Sequence, residues 1–460
     1  MEGVNDILSK ISDFVWGYPL IILLMGTHIY LTFRLKFIQR FIPLAIKISF
    51  KRKKEGKGDI SQFGALSTAL AATVGTGNIV GVATAVAAGG PGAVLWMWLT
   101  GVFGIATKYS EALLSVKYRT KNSKGETVGG PMFVLERGLN AKYLGYIFAF
   151  LTAFAAFGIG CMVQANAISS MIKETLIHYK IEESKTEFVV VLVGFLLSAL
   201  TAVVVLGGIK WIASFCERIV PFMVIVYVFG CLVLLFVHFD RIPETIVLII
   251  SSAFTGHAAI GGFIGASVKD AMRYGIARGL FSNESGLGSA PIVAACAQTK
   301  NSVRQALVSM TGTFWDTVVI CALTGLVLVN SGRWKDGLNG AALTKEAFTD
   351  LSYFGPMVLS FSLFFFVFST ILGWEYYGEK GAEFIFGEKC QKPYRILWVV
   401  FVFVGSVLAL KSVWTFADIA NGLMVIPNVI ALVLLQKVIL SETNRFLFSN
   451  KIDEIDENLK

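Results

Sequence analysis

Long apolar runs, separated by short polar stretches, cover most of this chain. Within these runs, the apolar residues show neither the spacing of an amphipathic helix nor the alternation of a half-buried strand. Each run has, or nearly has, the roughly 20 residues that cross the hydrocarbon of a bilayer as a helix. We therefore predict about eleven transmembrane helices, at about Phe14–Phe33, Phe63–Ala88, Ala93–Val116, Leu144–Ile172, Phe188–Leu206, Ile212–Val237, Thr245–Val268, Val303–Val329, Phe354–Tyr377, Ile396–Leu410 and Val413–Leu440.

Glycines interrupt two of these runs. The first interruption, Ala71–Asn78, reads AATVGTGN, and the second, Thr255–Phe263, reads TGHAAIGGF. Broken backbone at membrane depth leaves N–H and C=O groups unpaired, so it has to face protein or a water-filled cavity. Breaks at corresponding places in the two halves of a chain indicate the binding site of a secondary transporter.

The order of the predicted helices indicates an inverted repeat. When the first helix is set aside, ten remain as five plus five, and each five begins with a broken helix of opposite direction. We predict an all-α polytopic membrane protein divided into four parts. These are the extra helix and basic loop (1–58), the first repeat (59–240), the second repeat (241–440) and a tail (441–460).

Composition supports a membrane protein. Of the 460 residues, 55% are hydrophobic and only 15% are charged, whereas soluble proteins carry about 25% charged residues. The alternating ten-residue segments of a transmembrane barrel are not seen.

The net charge of +9 has its main source in one connection, 34–57, which is rich in Lys and Arg. Under the positive-inside rule this loop is cytoplasmic, which places the N-terminus outside and the C-terminus inside the plasma membrane. The acidic tail, with Asp453 and Asp456, fits this orientation less well. We expect the lipid bilayer, and not nucleic acid, to be the partner of the basic residues.

Two motifs resemble one known family. Gly89–Tyr109 reads GGPGAVLWMWLTGVFGIATKY and Gly279–Pro291 reads GLFSNESGLGSAP. Both are similar to hallmarks of the sodium:alanine (alanine or glycine:cation) symporter family, with Ile105 in place of methionine and Ser285 in place of alanine. The resemblance implies sodium-coupled uptake of small neutral amino acids, with Na+ as coupling ion. It also implies the leucine-transporter type of fold, preceded by one extra helix.

A zwitterionic amino acid needs donors for its carboxylate and acceptors for its ammonium group. The start of a helix supplies free backbone N–H groups, so we predict that the carboxylate binds at the amides of Thr76, Gly77 and Asn78. Gly75 and Gly77 allow close approach, and Thr73 belongs to the same turn. The alternative is a kink that uses glycine only for packing against a neighbouring helix.

Adjacent hydroxyls suggest a sodium site. Ser369 and Thr370 follow an aromatic run in the eighth core helix, and this pair resembles the sodium-binding pair of the leucine-transporter fold. Aligning the first break with that fold implies carbonyl ligands from Ala71 and Val74, and Phe366 is predicted to add another. The alternative is that both hydroxyls bond to carbonyls of their own helix.

Further residues are candidates for the substrate pocket. Trp374 lies one turn after Thr370 and would limit the pocket to small side chains, unless it is an interfacial belt residue. Gln164 is a candidate for the substrate amine, with helix–helix bonding as the alternative. In the second break we expect contacts from Gly261, Gly262 and Phe263, while His257 either titrates or bonds to a neighbouring helix.

Asp316 lies in the middle of the seventh core helix. An intramembrane carboxylate is a functional candidate, so Asp316 is a possible second ion ligand or coupling residue. Pairing with a cation such as Lys269 or Arg273 is the alternative that we favour slightly.

The main hypothesis is a sodium:amino-acid symporter that functions as a monomer, without an organic cofactor. The alternatives are a proton-coupled transporter of the same fold and an ion channel. An enzyme is not expected, since the sequence has neither HExxH nor GxSxG.

Overall fold

A computed structural model describes residues 2–51, 56–178, 180–255, 266–352, 354–408, 411–457 and 459. The described chain is almost entirely helical, and one short antiparallel hairpin pairs β1 (Thr120–Lys121) with β2 (Thr127–Val128). The helices of the first half are α1 (Glu2–Val15), α2 (Tyr18–Arg34), α3 (Ile42–Ser49), α4 (Gln62–Thr73), α5 (Val82–Gly89), α6 (Ala93–Lys117), α7 (Pro131–Gly138), α8 (Lys142–Ala155), α9 (Val163–His178), α10 (Glu183–Val205) and α11 (Ile209–Val237).

The second half continues in the same way, with short connections between long helices. Its helices are α12 (Ile242–Thr255), α13 (Val268–Asn283), α14 (Pro291–Ala294), α15 (Ser302–Thr313), α16 (Ala322–Asn330), α17 (Gly340–Phe348), α18 (Phe354–Phe386), α19 (Gln391–Val407), α20 (Lys411–Leu434) and α21 (Gln436–Thr443). Single 3-10 turns lie at Ile38–Phe41, Phe239–Arg241, Arg333–Asp336, Thr349–Leu351 and Glu388–Cys390. π-helical segments lie at Gly77–Gly81, Ala156–Met162, Phe314–Cys321 and Asn444–Phe448.

Each of the eleven predicted segments contains helix where the structure describes it; 256–265 and 409–410 lie outside the described residues. Within the described residues, seven helices are long and apolar enough to cross a membrane, and a bent pair, Gln62–Thr73 with Gly77–Gly89, makes an eighth span. The chain is therefore a multi-pass membrane protein. The count of eleven and the inverted repeat stay predictions.

The first predicted break is present. α4 ends at Thr73, Val74 takes an extended conformation, and the chain resumes as a helix at Gly77 with a bend of 52°. Two glycines within three residues favour the break, because glycine costs about 1 kcal/mol in a helix relative to alanine. The break lies inside the protein, where Val74 and Asn78 are fully buried.

The structure differs from the sequence prediction after the second break. None of the eleven predicted segments covers Lys269–Asn283, yet Val268–Asn283 forms α13, which packs against α5 and α6. Ser267 caps this helix through a reciprocal hydrogen-bond pair with Asp270. No segment was predicted here because α13 carries several charged residues and has no long apolar run. The second break itself, 256–265, lies outside the described residues.

The acidic tail has a structural role. The backbone N–H of Asp456 donates to the Lys300 carbonyl, and its fully buried carboxylate lies 3.6 Å from both the Lys117 ammonium and the Arg445 guanidinium. Asp453 pairs with Arg304 at the start of α15. The tail therefore lies against basic residues at the helix ends, and its carboxylates pair with their Lys and Arg side chains.

We predict that Asp456→Asn loosens the docked tail. It removes the carboxylate that pairs with Arg445 and one of the two carboxylates near Lys117, which keeps Glu442 at 2.9 Å. The cost is about 1–2 kcal/mol because both cations remain partly solvated. The thermal unfolding midpoint of the purified protein should fall accordingly. The matched control is Glu454→Gln, which removes only an exposed pair with Lys451 and should leave the midpoint unchanged. Equal midpoints for the two variants would contradict the buried role of Asp456.

Candidate functional site

A small cavity lies at the first break, with a volume of about 20 Å³, which is room for about one water molecule. Five helices (α4, α9, α13, α18 and α20), two π-helical segments, the break itself and the loop after α13 contribute residues to it. Its walls are formed by Ala72, Thr73, Gly75, Thr76, Gly77, Ile159, Gln164, Phe281, Ser282, Glu284, Thr370, Trp374 and Asn421. The structure thus brings the predicted residues Thr73, Gly75, Thr76, Gly77, Gln164 and Trp374 together at one place.

Asn78 closes the backbone turn at the break. Its side-chain oxygen accepts a hydrogen bond from the Gly75 N–H at 2.9 Å, and its own N–H donates to the Gly75 carbonyl at 3.3 Å. Buried backbone groups are costly unless they are paired, and Asn78 pairs two of those that the break frees. Since the Asn78 N–H is engaged in this way, the amides of Thr76 and Gly77 are the better candidates for an anion.

Asp316 holds Asn78 in place. One carboxylate oxygen accepts from the Asn78 side-chain amide at 2.7 Å, and the other accepts from the hydroxyls of Thr317 at 2.7 Å and Ser282 at 3.0 Å. The favoured pairing of Asp316 with Lys269 or Arg273 is therefore wrong. Lys269 lies over the ring of Tyr18 and Arg273 near Asp13, at the far end of α13.

The predicted sodium ligands converge on one point. The Thr370 hydroxyl lies 3.1 Å from the Ala71 carbonyl, 3.5 Å from the Val74 carbonyl and 2.9 Å from the Phe366 carbonyl. The Ser369 hydroxyl lies 3.4 Å from the Ala71 carbonyl and 3.0 Å from the Phe366 carbonyl. The hydroxyls thus bond both within their own helix, as in the alternative, and across to α4.

Close approach of α18 to α4 explains the glycines between them. A Cβ on Gly75 would lie 2.6 Å from the Thr370 hydroxyl oxygen, and a Cβ on Gly373 would lie 2.8 Å from the Ala72 Cβ. No larger residue fits at either crossing without displacing a neighbour. The first break is therefore packed against the site residues themselves.

Trp374 is a buried wall of the cavity and not a belt residue at the membrane interface. It is only 2% exposed, and its ring contacts Tyr377 edge-on. Gly160, in the π-helical segment Ala156–Met162, leaves the space that Trp374 fills, since a Cβ there would lie 2.1 Å from the Trp374 Cβ.

Two amide side chains face the cavity. The Gln164 Nε2 donates to the Ile159 carbonyl at 3.1 Å and to the Thr76 hydroxyl at 3.5 Å. Its Oε1 and the Oδ1 of Asn421 are buried and accept no hydrogen bond from the described part of the chain. Gln164 thus contacts the first break, and its oxygen remains available.

The glycine-rich motif after α13 brings a carboxylate into the cavity. Glu284 takes a left-handed conformation, with φ of 54°, and Gly286 and Gly288 also have positive φ. The backbone N–H groups of Gly286 and Gly288 donate to Glu111 at 3.0 and 3.1 Å, and Asn428 donates to the same oxygen at 2.6 Å. Glu111 therefore shapes the loop that positions Glu284.

Sequence reasoning did not select Ser282, Glu284 or Asn421 for the site. The motif that contains Ser282 and Glu284 was identified, but glycine content alone does not tell which side chains of a loop face inward. Three of the four π-helical segments found in the described chain, those at Gly77, Ile159 and Asp316, do surround the site. Such segments are frequent at functional sites.

Four predicted residues of the second break, His257, Gly261, Gly262 and Phe263, lie outside the described residues. Thr255, at the end of α12, is described and is exposed, with its hydroxyl donating to the Ser251 carbonyl at 2.8 Å.

Comparison with known proteins gives a consistent result. The family model described as the sodium:alanine symporter family matches residues 1–459. The chain is 48% identical to an uncharacterized transporter of Haemophilus influenzae, over 99% of both chains. It is 47% identical to the sodium/alanine symporter AgcS of Methanococcus maripaludis, over 96% of this chain and 97% of that protein.

A solved structure is similar in fold. The crystal structure of MhsT in complex with L-phenylalanine gives a TM-score of 0.58 at 15% identity, over 84% of this chain and 93% of that one. At this identity the likeness shows the fold alone, which is of the leucine-transporter type that the resemblance implied.

We predict that Gly160→Ala forces Trp374 out of its position. Overpacking of this kind costs about 1–3 kcal/mol, so the thermal unfolding midpoint should fall. Gly26→Ala is the matched control, because a Cβ at Gly26 meets no atom within 4 Å of the described chain, and alanine favours the helix there. If Gly160→Ala has the same unfolding midpoint as Gly26→Ala, the space between Gly160 and Trp374 is wide enough for a Cβ, and the close contact described above is contradicted.

Proposed function

Since this chain belongs to the sodium:alanine symporter family, and is thus a sodium-coupled amino-acid symporter, we propose that it transports small neutral amino acids such as alanine and glycine. Transport proceeds by alternating access, in which the broken helices move against the rest of the fold around a fixed central site. The observation that carries the proposal is the convergence of five oxygens beside the cavity at the first break.

The substrate carboxylate binds at the beginning of the second half-helix. The amides of Thr76 and Gly77 belong to its first turn, where N–H groups lack partners within the helix and the helix dipole favours an anion. Gly75 and Gly77 keep this turn free of bulky side chains, and Thr73 lines the same cavity.

The size of the cavity supports a small substrate. About 20 Å³ is less than any amino acid needs, so the half-helices have to separate when the substrate enters. Trp374 and Ile159 occupy the space that a long side chain would require. Alanine and glycine demand the smallest displacement of these walls.

Sodium binds among the carbonyls of Ala71, Val74 and Phe366 and the hydroxyls of Ser369 and Thr370. All five ligand atoms are neutral oxygens, and carbonyls at the end of a broken helix are typical of sodium sites in this class of transporter. The carbonyl of Ala71 belongs to α4, that of Val74 to the extended residue after it, and the hydroxyls to α18. A bound cation therefore ties α18 to the end of α4. Sodium binding thereby favours the arrangement in which the break is closed around the substrate.

Asp316 is a second ion ligand or coupling residue. It is fully buried, and its carboxylate is joined to the break through Asn78 and to α13 through Ser282. A cation here would be held by carboxylate and hydroxyl oxygens. It would therefore respond to movement of both broken helices.

The membrane arrangement follows the charge distribution. We place the N-terminus outside and the C-terminus in the cytoplasm of the plasma membrane, with one extra helix before two inverted repeats of five, within 59–240 and 241–440. The protein functions as a monomer in this scheme, because the candidate site is built within one chain.

We predict that Thr370→Val abolishes sodium-stimulated uptake. The substitution keeps the shape of the side chain but removes the oxygen nearest to the Ala71 and Val74 carbonyls. Uptake of radiolabelled alanine into proteoliposomes is measured at fixed pH, with and without an inward sodium gradient. Thr370→Ser, which retains the hydroxyl, should keep sodium-stimulated uptake within a few-fold of the unmodified protein.

Ser406→Ala is the control for loss of a buried hydroxyl, because Ser406 bonds to a carbonyl of its own helix and lies outside the site. Uptake that does not depend on sodium but is driven by a pH gradient would show that protons are the coupling ion, with Asp316 or His257 as the coupling residue. Absence of alanine uptake under either gradient, in folded protein, would refute the substrate assignment.

We predict that Asp316→Asn reduces the number of sodium ions moved per alanine. The neutral amide removes the only charged ligand of the second ion and leaves the oxygens around Thr370 intact. The measurement is the sodium-to-alanine flux ratio in proteoliposomes, with the steepness of the sodium dependence as a second readout. An unchanged ratio and steepness would show that Asp316 only supports the break.

A further inference from the structure

Glu284 is the only carboxylate among the described residues that line the cavity at the first break. It is 3% exposed, in a left-handed conformation that is uncommon for a residue with a side chain. Its carboxylate accepts hydrogen bonds from the Ser289 hydroxyl and the Trp374 indole. The loop therefore holds an acidic group at the wall of the cavity, at the cost of backbone strain, which is typical of functional positions.

The charge of Glu284 has no ion-pair partner in the described chain. The nearest basic residue in electrostatic contact is Lys108, whose ammonium is buried and makes no hydrogen bond or ion pair with any described residue. A buried carboxylate is costly unless a cation accompanies it. A ligand with a positive group would supply that cation.

The other free groups of the cavity are also acceptors. The Gln164 Oε1 and the Asn421 Oδ1 are buried and receive no hydrogen bond from the described residues. Gln164 is oriented by its own donors, since Nε2 bonds to Ile159 and Thr76. A donor-rich group, such as a primary ammonium with three N–H bonds, matches this set.

We propose that Glu284, with the amide oxygens of Gln164 and Asn421, forms the subsite that binds the α-ammonium group of the substrate. The inference rests on the proposed function and adds to it the group that recognises the amine. The cavity then has two chemically distinct sides. Amides at the start of the half-helix accept the carboxylate, and the acceptors from α9, α20 and the loop after α13 accept the ammonium group.

This assignment makes Glu284 the residue that selects zwitterions over plain carboxylates. Lactate has the shape of alanine with a hydroxyl in place of the ammonium group. When lactate binds, the buried carboxylate of Glu284 still lacks a counter-charge, so the unmodified protein should reject it. A neutral residue at 284 removes this penalty for lactate and removes the attraction for alanine.

The experiment measures binding of radiolabelled alanine to the purified protein in saturating sodium, with unlabelled alanine and lactate as competitors. For Glu284→Gln we expect alanine to bind at least tenfold more weakly, while lactate competes equally well or better than in the unmodified protein. If Glu284 had a purely structural role, the substitution would weaken the binding of alanine and of lactate by the same factor, and that result would overturn the proposal. An unchanged affinity for alanine would overturn it as well.

Two further variants keep the test decisive. Glu284→Asp retains the charge on a shorter side chain and should preserve the preference for alanine over lactate at reduced affinity. Ser289→Ala removes a hydrogen-bond partner of Glu284 but leaves the charge, so it should also preserve the preference; loss of the preference in both variants would contradict the assignment. If the unmodified protein binds no alanine in sodium, the proposed function fails, whereas alanine binding with an unchanged preference in Glu284→Gln refutes the ammonium subsite alone.

Discussion

The site depends on how the backbone groups freed at the first break are paired. A helix interrupted at membrane depth exposes N–H and C=O groups that lipid cannot satisfy. Here Asn78 bonds to both backbone groups of Gly75, and Asp316 fixes Asn78 from α15 and its π-helical continuation. The Val74 carbonyl accepts from the Thr370 hydroxyl of α18, and Thr76 and Gly77 line the cavity. The pairing of some groups thus decides which others remain available to ligands.

The same constraint connects distant parts of the sequence. Asp316 also accepts from Ser282, the last but one residue of α13, so the first broken helix and α13 meet at one carboxylate. The loop that follows α13 is shaped by Glu111 of α6 and Asn428 of α20. A movement of the first broken helix or of α13 therefore has to be accommodated by these buried hydrogen bonds, and buried networks of this kind rigidify the structure around them.

The parts of the site that follow from local spacing could be predicted from sequence. Gly75 and Gly77, accompanied by Thr76 and Asn78, predicted the first break. Adjacent hydroxyls after Phe366 lie within reach of its carbonyl because helical geometry puts them three and four residues later. The partner of Asp316 could not be predicted, since it depends on which helix faces α15. The helix α13 was missed for a related reason. Its polar residues are accommodated by packing on α5 and α6, which no apolar run reveals.

The proposed sodium and substrate sites would be coupled through a short stretch of backbone. The carbonyl of Val74 points to the hydroxyl of Thr370, and the amides of Thr76 and Gly77 begin on the other side of the same turn. In the structure, the hydroxyls of Ser369 and Thr370 donate hydrogen bonds to the carbonyls that a cation would contact. A sodium ion could replace these hydrogen bonds with oxygen–sodium contacts without moving the oxygens far. A cation that fixes Val74 also fixes Gly75, and the two amides that follow are then held in position for a carboxylate. The order of binding need not be specified for this coupling to act, because each ligand stabilises the backbone conformation that the other requires.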